Sequence, residues 1–141
     1  MRRRHYLIDT NIMCFLAEGA GILDKGTENI LGDYANDIYI SSECVCELIH
    51  LHQRNKIKIK RWKTTNDIID FIDNEANIKI KYIEKKHLQT LVNLPLFPDH
   101  KDPNDRIIIA QAITDKIPLI SSDRKFFHYE KYGLEFIYNE R

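Results

Sequence analysis

Short apolar runs alternate along the chain with longer stretches in which apolar residues recur every three or four positions. His5–Ile8 is a short apolar run closed by Asp9, which predicts a buried strand. Thr10 or Asn11 can cap a helix that continues through Ile12, Phe15 and Leu16 and stops near Gly19 and Gly21. A second helix is expected over Ile22–Tyr34, and a β-branched strand over Ile38–Ile40. Ser41 and Ser42 are N-cap candidates for a helix Glu43–Arg54. Asn66–Asn74 reads as a helix with Ile68, Ile69, Phe71 and Ile72 inside and Asp67, Asp70 and Asp73 outside.

The second half repeats the alternation. Ile78–Ile83 has the two-residue period of a half-exposed strand. Glu84–Asn93 reads as helix, ended by the proline-containing segment 94–99. Asp102 caps and Pro103 opens a helix to about Lys116, because proline at the first position needs no amide proton. A strand Pro118–Ile120, a short helix Asp123–Phe127 and a strand Leu134–Tyr138 complete the chain. Strands interleaved with helices, with no repeat and no flexible linker, predict a single α/β domain over residues 1–141 with a mainly parallel sheet.

Composition narrows the classes. A chain of 141 residues that is 43% apolar can enclose a core and is not a disordered tail. Its apolar stretches fall well short of the ~18–20 residues that cross a bilayer. Asp9, Asn11 and Glu18 interrupt what would have to be the apolar part of an export signal, so a cytoplasmic protein is expected. Cys14, Cys44 and Cys46 are odd in number and lie in apolar segments, which suits reduced, buried thiols. Cys44 and Cys46 with His50 and His52 lack the second ligand pair of a structural zinc site. Lys and Arg total 21 against 21 Asp and Glu, and this balance argues against a generally basic nucleic-acid binder.

Placement of the charges changes that picture. Asp9 and Asp123 each follow a predicted strand, the edge of a parallel sheet at which ligands bind. Glu47 borders the apolar stripe of its helix, and Asp105 shares a helix face with Ile109 and Ala112. Each acid alone has a bland explanation: turn residue, helix cap, first-turn acid or surface ion pair. Together they would crowd four carboxylates with no matching set of lysines, and a hard divalent cation, Mg²⁺ or Mn²⁺, is the simplest compensation. Such an ion can activate water and stabilise charge on a phosphoryl group.

LIDTN with Asp9, ISSECVCEL with Glu47, HKDPNDRIIIAQAI with Asp105 and PLISSD with Asp123 together resemble the PIN-domain ribonucleases. Within them the chain resembles the VapC-like toxins of type II toxin–antitoxin systems. The resemblance implies a three-layer α/β/α fold and Mg²⁺- or Mn²⁺-dependent hydrolysis of RNA by an endoribonuclease. It also implies a small antitoxin partner and, as usual in this family, a homodimer. Carried onto this chain, Asp9, Glu47, Asp105 and Asp123 are the catalytic, metal-binding acids, with Thr10, Asn11 and Ser121 in support. Asn104 stands where relatives often have Phe, and the insert between Gln53 and Asn77 is rich in charge. His100 and Arg106 are candidate RNA contacts, the plainer readings being a loop histidine and a surface ion pair.

Residues 54–63 hold six basic residues and no acid. Lys56, Lys58, Lys60 and Arg61 can contact phosphates and Trp62 can stack on a base; equally, alternating Ile and Lys can form an ordinary exposed edge. Arg2–Arg4 allow the same two readings. A receiver-like phospho-signalling domain would want a lysine soon after a late strand, and a haloacid-dehalogenase-type phosphatase would want Asp where Asn11 stands. A PIN-like fold serving only as a non-catalytic binding module is the remaining alternative. Setting aside the four acids leaves 21 basic against 17 acidic residues, so neutrality conceals an acidic centre in a mildly basic exterior.

Overall fold

The computed structural model describes residues 3–19 and 21–140; Arg2 lies outside the described residues. Five strands, β1 (Arg4–Ile8), β2 (Asn36–Ser41), β3 (Lys79–Lys81), β4 (Leu119–Ser121) and β5 (Phe136–Tyr138), form one sheet. All neighbours are parallel and the order is β3-β2-β1-β4-β5. Leu7, Ile8, Ile40, Leu119 and Ile120 have no solvent exposure, as expected of strands covered on both faces. The helices are α1 (Thr10–Glu18), α2 (Lys25–Gly32), α3 (Ser42–Gln53), α4 (Asn66–Asp70), α5 (Lys85–Val92) and α6 (Pro103–Asp115). A π turn, Phe71–Glu75, extends α4, and a 3-10 helix, Arg124–Tyr132, joins β4 to β5. Strand order reverses direction at β1, which divides the crossovers between the two faces and gives the three-layer α/β/α arrangement. No described helix is long and apolar enough to cross a membrane.

Several boundaries differ from the pattern-based expectation, each for a local reason. Asp9, not Thr10 or Asn11, caps α1: its Oδ1 accepts the Ile12 amide at 3.0 Å. Gly19 ends α1 at φ +67°, a conformation that costs glycine nothing. α2 begins only after Ile22 and Leu23, because Asp24 accepts the Thr27 and Glu140 amides and its own amide donates to Asn139 Oδ1. That clasp ties the start of α2 to the end of β5. Ser41 caps α3, while Ser42 Oγ accepts the Ile83 amide and draws the chain out of the sheet after a short β3. The wider π turn buries Phe71 and Ile72 together while turning the chain towards β3. The last helix runs to Tyr132 because Phe126 and Tyr129, three residues apart, share the buried face of a three-residue turn. Cys44 is buried, but Cys46 is exposed and Cys14 lies between, so the expectation of buried thiols fails for Cys46; all three are free.

Candidate metal centre

The register aligns Ile8, Ile40 and Ile120 across the sheet, so Asp9 leaves β1 beside the end of β4. This is the crevice where strand order reverses, the position at which open α/β sheets bind ligands. Ser121 is buried there, hydrogen-bonded to the Asp9 carboxylate, and its Oγ accepts the Asp123 amide at 3.1 Å. Asp123 Oδ1 caps the 3-10 helix through the Lys125 amide at 2.9 Å, so the capping role and the place in the cluster coexist. α6 delivers Asp105 in its first turn: Asp102 Oδ1 accepts the amides of Asn104 and Asp105, and Pro103 starts the helix. Asp102 is therefore a cap, as its place before proline predicts. Glu47 arrives from α3, its Oε2 accepting a hydrogen bond from Asn104 Nδ2 at 2.9 Å.

The acids feel one another. Asp9 is 5% exposed, and burial, aided by Asp123 and Glu47, pushes its carboxyl up to about 6. Burial pushes Asp105 up to about 8, with Asp102, Asp9, Asp123 and Glu47 all adding repulsion. Among the described residues no lysine or arginine makes an ion pair with any of the four. Clustered oxygens, one carboxylate buried and three half-buried, with no lysine or arginine pair among the described residues, are a donor set that fits a hard divalent cation. A ring nitrogen of His100, an Asp105 oxygen and an Asp123 oxygen all lie within 4.8 Å of one another.

The remaining named residues divide. Thr10 is buried behind Asp9 and beside the Cys44 thiol, whereas Asn11 is exposed. His100 is no plain loop residue: it is 4% exposed, with Nε2 3.2 Å from Asp105 Oδ2 and Nδ1 2.7 Å from the Tyr129 hydroxyl. Arg106 is not a surface residue either. Its guanidinium donates to the Pro95 and Leu94 carbonyls at 2.7 and 3.2 Å and the residue is buried at 9% exposure. Lys56, Lys58 and Lys60 are exposed, and Arg61 pairs with Glu75 at 3.0 Å. The 54–63 segment beyond α3 is irregular and not an edge strand, pinned by buried Ile59 and Trp62.

Trp62 corrects the sequence expectation outright. It is 3% exposed and packs edge-to-face on Phe71 at 5.8 Å, which leaves no face for a base. Trp62→Ala is expected to cost about 3–5 kcal/mol of unfolding free energy, measured by chemical denaturation, as large-to-small core changes do. A loss below about 1 kcal/mol would contradict this packing role.

Two supporting residues escaped sequence reasoning. Asn104 was visible as an amide inside an acidic motif, but its partner Glu47 is 57 positions away. Tyr129 is signalled only by the spacing of three that it shares with Phe126 and Tyr132.

Residues 6–132 match the family described as PIN domain. No curated protein sequence matches the chain. Among solved structures, VapBC2 from Rickettsia felis, determined bound to a DNA fragment from their promoter, superposes with a TM-score of 0.71 at 18% identity, covering 96% of this chain and 99% of that one. VapBC-1 from nontypeable Haemophilus influenzae gives 0.64 at 15% identity, covering 95% and 97%. A domain of a functionally unknown protein from Methanocaldococcus jannaschii gives 0.59 at 21% identity, covering 98% and 92%. At these identities the structural likeness speaks for the fold.

Proposed function

The chain belongs to the PIN domain family, and on that premise we propose that it is a divalent-metal-dependent endoribonuclease, the toxin of a type II toxin–antitoxin pair. One observation carries the nuclease reading: at the switch point of the sheet Asp9 and Asp105 are raised by burial and by the other acids of the set, and among the described residues no lysine or arginine pairs with any of the four. Oxygen donors in that number suit Mg²⁺ or Mn²⁺. Asp9, Asp105 and Asp123 would hold the ion, and Glu47 would do so directly or through water. A bound divalent ion supplies Lewis acidity toward the phosphodiester and a water of lowered pKa.

The protein's own part is positional. Ser121 links Asp9 to the Asp123 backbone, and Asn104 holds Glu47 across the groove between α3 and α6. Asp9 is held by the Ile12 amide in the first turn of α1. The exposed lysines Lys56, Lys58 and Lys60 are candidates for contact with RNA phosphates away from the centre. The likeness to chains of VapBC structures supports a small antitoxin as partner. We place the protein in the cytoplasm as a homodimer, acting as one nuclease domain.

The test uses purified protein and a mixed RNA substrate. Cleavage is expected with Mg²⁺ or Mn²⁺, is abolished by EDTA, returns on adding back the metal, and is absent in Asp9→Asn. Expression is expected to arrest growth, with relief by the product of a neighbouring small gene. Cleavage that persists in EDTA and in Asp9→Asn would sink the assigned centre. A folded protein with no cleavage under any metal would favour the binding-module reading.

A further inference from the structure

His100 is a buried nitrogen donor beside Asp105, and its ring can play two incompatible parts. Nε2 can point a lone pair at a metal, or it can carry a hydrogen and hold Asp105. The ring's other nitrogen decides between them, because a neutral imidazole has one N–H and one acceptor. Nδ1 lies 2.7 Å from the Tyr129 hydroxyl, and Tyr129 has no solvent exposure, so water does not complete that pair. The Arg106 guanidinium, held on the Leu94 and Pro95 carbonyls, places its positive charge near the same hydroxyl. A guanidinium has hydrogens only and cannot accept. The tyrosine hydrogen must therefore turn away from Arg106, and His100 Nδ1 is the acceptor within reach. Nδ1 is then unprotonated, and Nε2 carries the hydrogen that faces Asp105 Oδ2 at 3.2 Å.

We propose that Tyr129 and His100, oriented by the positive charge of Arg106, form a one-way hydrogen-bond chain that ends with His100 Nε2–H donated to Asp105, which makes His100 a positioning residue and not a metal ligand. Polarity is fixed on both sides: an arginine that cannot accept and, with a cation bound, a carboxylate that only accepts. The orienting charge is fixed in place, since Arg106 is anchored on the Leu94 and Pro95 carbonyls. It occupies one oxygen of Asp105 and leaves the other to a cation, so the centre is all-oxygen. This is the usual outer-shell arrangement, in which a residue behind the ligand sets its orientation. The inference rests on the reading of Asp105 as a metal-binding acid, but not on the nature of the substrate.

Histidine-labelled protein saturated with Mg²⁺ at mildly alkaline pH is expected to show, in long-range ¹H–¹⁵N spectra, a Nε2–H tautomer for the resonance that disappears in His100→Gln. Bound Mn²⁺ is expected to show no nitrogen coupling by pulsed EPR. Mn²⁺ affinity by calorimetry is expected to fall about 10–100-fold in His100→Leu. His100→Gln, which keeps a donor at the same place, recovers most of it, and Tyr129→Phe falls between. A Nδ1–H tautomer, a nitrogen coupling to Mn²⁺, or unchanged affinity in a folded His100→Leu would each overturn the proposal. If His100→Leu does not fold, the wild-type tautomer decides alone. Mn²⁺ binding with this pattern but without RNA cleavage would remove the ribonuclease reading and leave the hydrogen-bond chain standing; no Mn²⁺ binding by the wild type would remove the metal centre itself.

Discussion

Asp105→Asn is expected to abolish RNA cleavage while making the metal-free protein more stable, two effects of opposite sign from one substitution. The loss of activity follows from removing a charged ligand from a centre built of carboxylates. Metal stabilisation of a developing phosphoryl charge amounts to several kcal/mol, and at about 1.4 kcal/mol per tenfold the rate should fall by about 10³ or more. The gain in stability follows from electrostatics alone. Asp105 is pushed up to about 8, chiefly by burial and then by Asp102, Asp9, Asp123 and Glu47. Without a cation its negative charge is a liability, and the amide removes it while keeping nearly the same shape. The side chain is 27% exposed, so solvent screens part of the repulsion. A residual gain on the order of 1 kcal/mol would raise Tm by about 4 °C in EDTA, measured by calorimetry. Retained cleavage would remove Asp105 from the site, and a lower Tm in EDTA would show that the carboxylate is not under strain.

The metal-free protein is also expected to lose stability as pH rises through neutrality, the reverse of an ordinary acid-labile protein. An aspartate in the unfolded chain titrates near 3.8, whereas folded Asp9 titrates at about 6 and Asp105 at about 8. Between those values the folded state binds more protons than the unfolded state, so unfolding free energy falls with increasing pH. The penalty is absent below about pH 4 and complete above the folded values. His100 works the other way, because burial lowers its pKa and folding then favours the neutral ring as pH rises towards 6.5. Asp37, held down by Arg3, and Asp115, held down by His87 and Lys81 against its own burial, lose stabilisation only as pH falls below the carboxylate range. The cleanest window is therefore about pH 6.5–8.5, where Asp105 dominates. Thermal melts in EDTA should decline across it. Saturating Mn²⁺ should flatten the decline, since a ligand at 100 times its Kd adds about 2.7 kcal/mol. Asp105→Asn should flatten it without metal. A profile that is level or rising in EDTA would overturn the account of the acidic cluster.

Legibility in the sequence tracked the range of the interactions involved. The strand runs around Ile8, Ile40 and Ile120 are local patterns, and each lies within an observed strand. Asp102-Pro103 marked the start of α6 because capping needs only the next three residues. Boundaries slipped where a distant side chain intervened. α2 starts late because Asp24 answers to Asn139 and Glu140, more than a hundred residues away. The 54–63 segment misled because alternation of Ile and Lys is also what a loop shows when Ile59 and Trp62 plug it into the core.

Order along the chain determined by itself an α/β domain and the presence of four acids at strand ends and helix faces, because periodicity and capping are short-range physics. It also raised the expectation that a neutral total charge hides a candidate acidic centre. Tertiary structure alone decided which of the accompanying residues belong to that centre. Asn104 reaches Glu47, and Tyr129 reaches His100, only because parallel crossovers bring α3, α6 and the 3-10 helix to one edge of the sheet. The same packing removed Trp62 and Arg106 from the surface. Burial and hydrogen-bond direction depend on what closes around a side chain, and no pattern within its own segment records that.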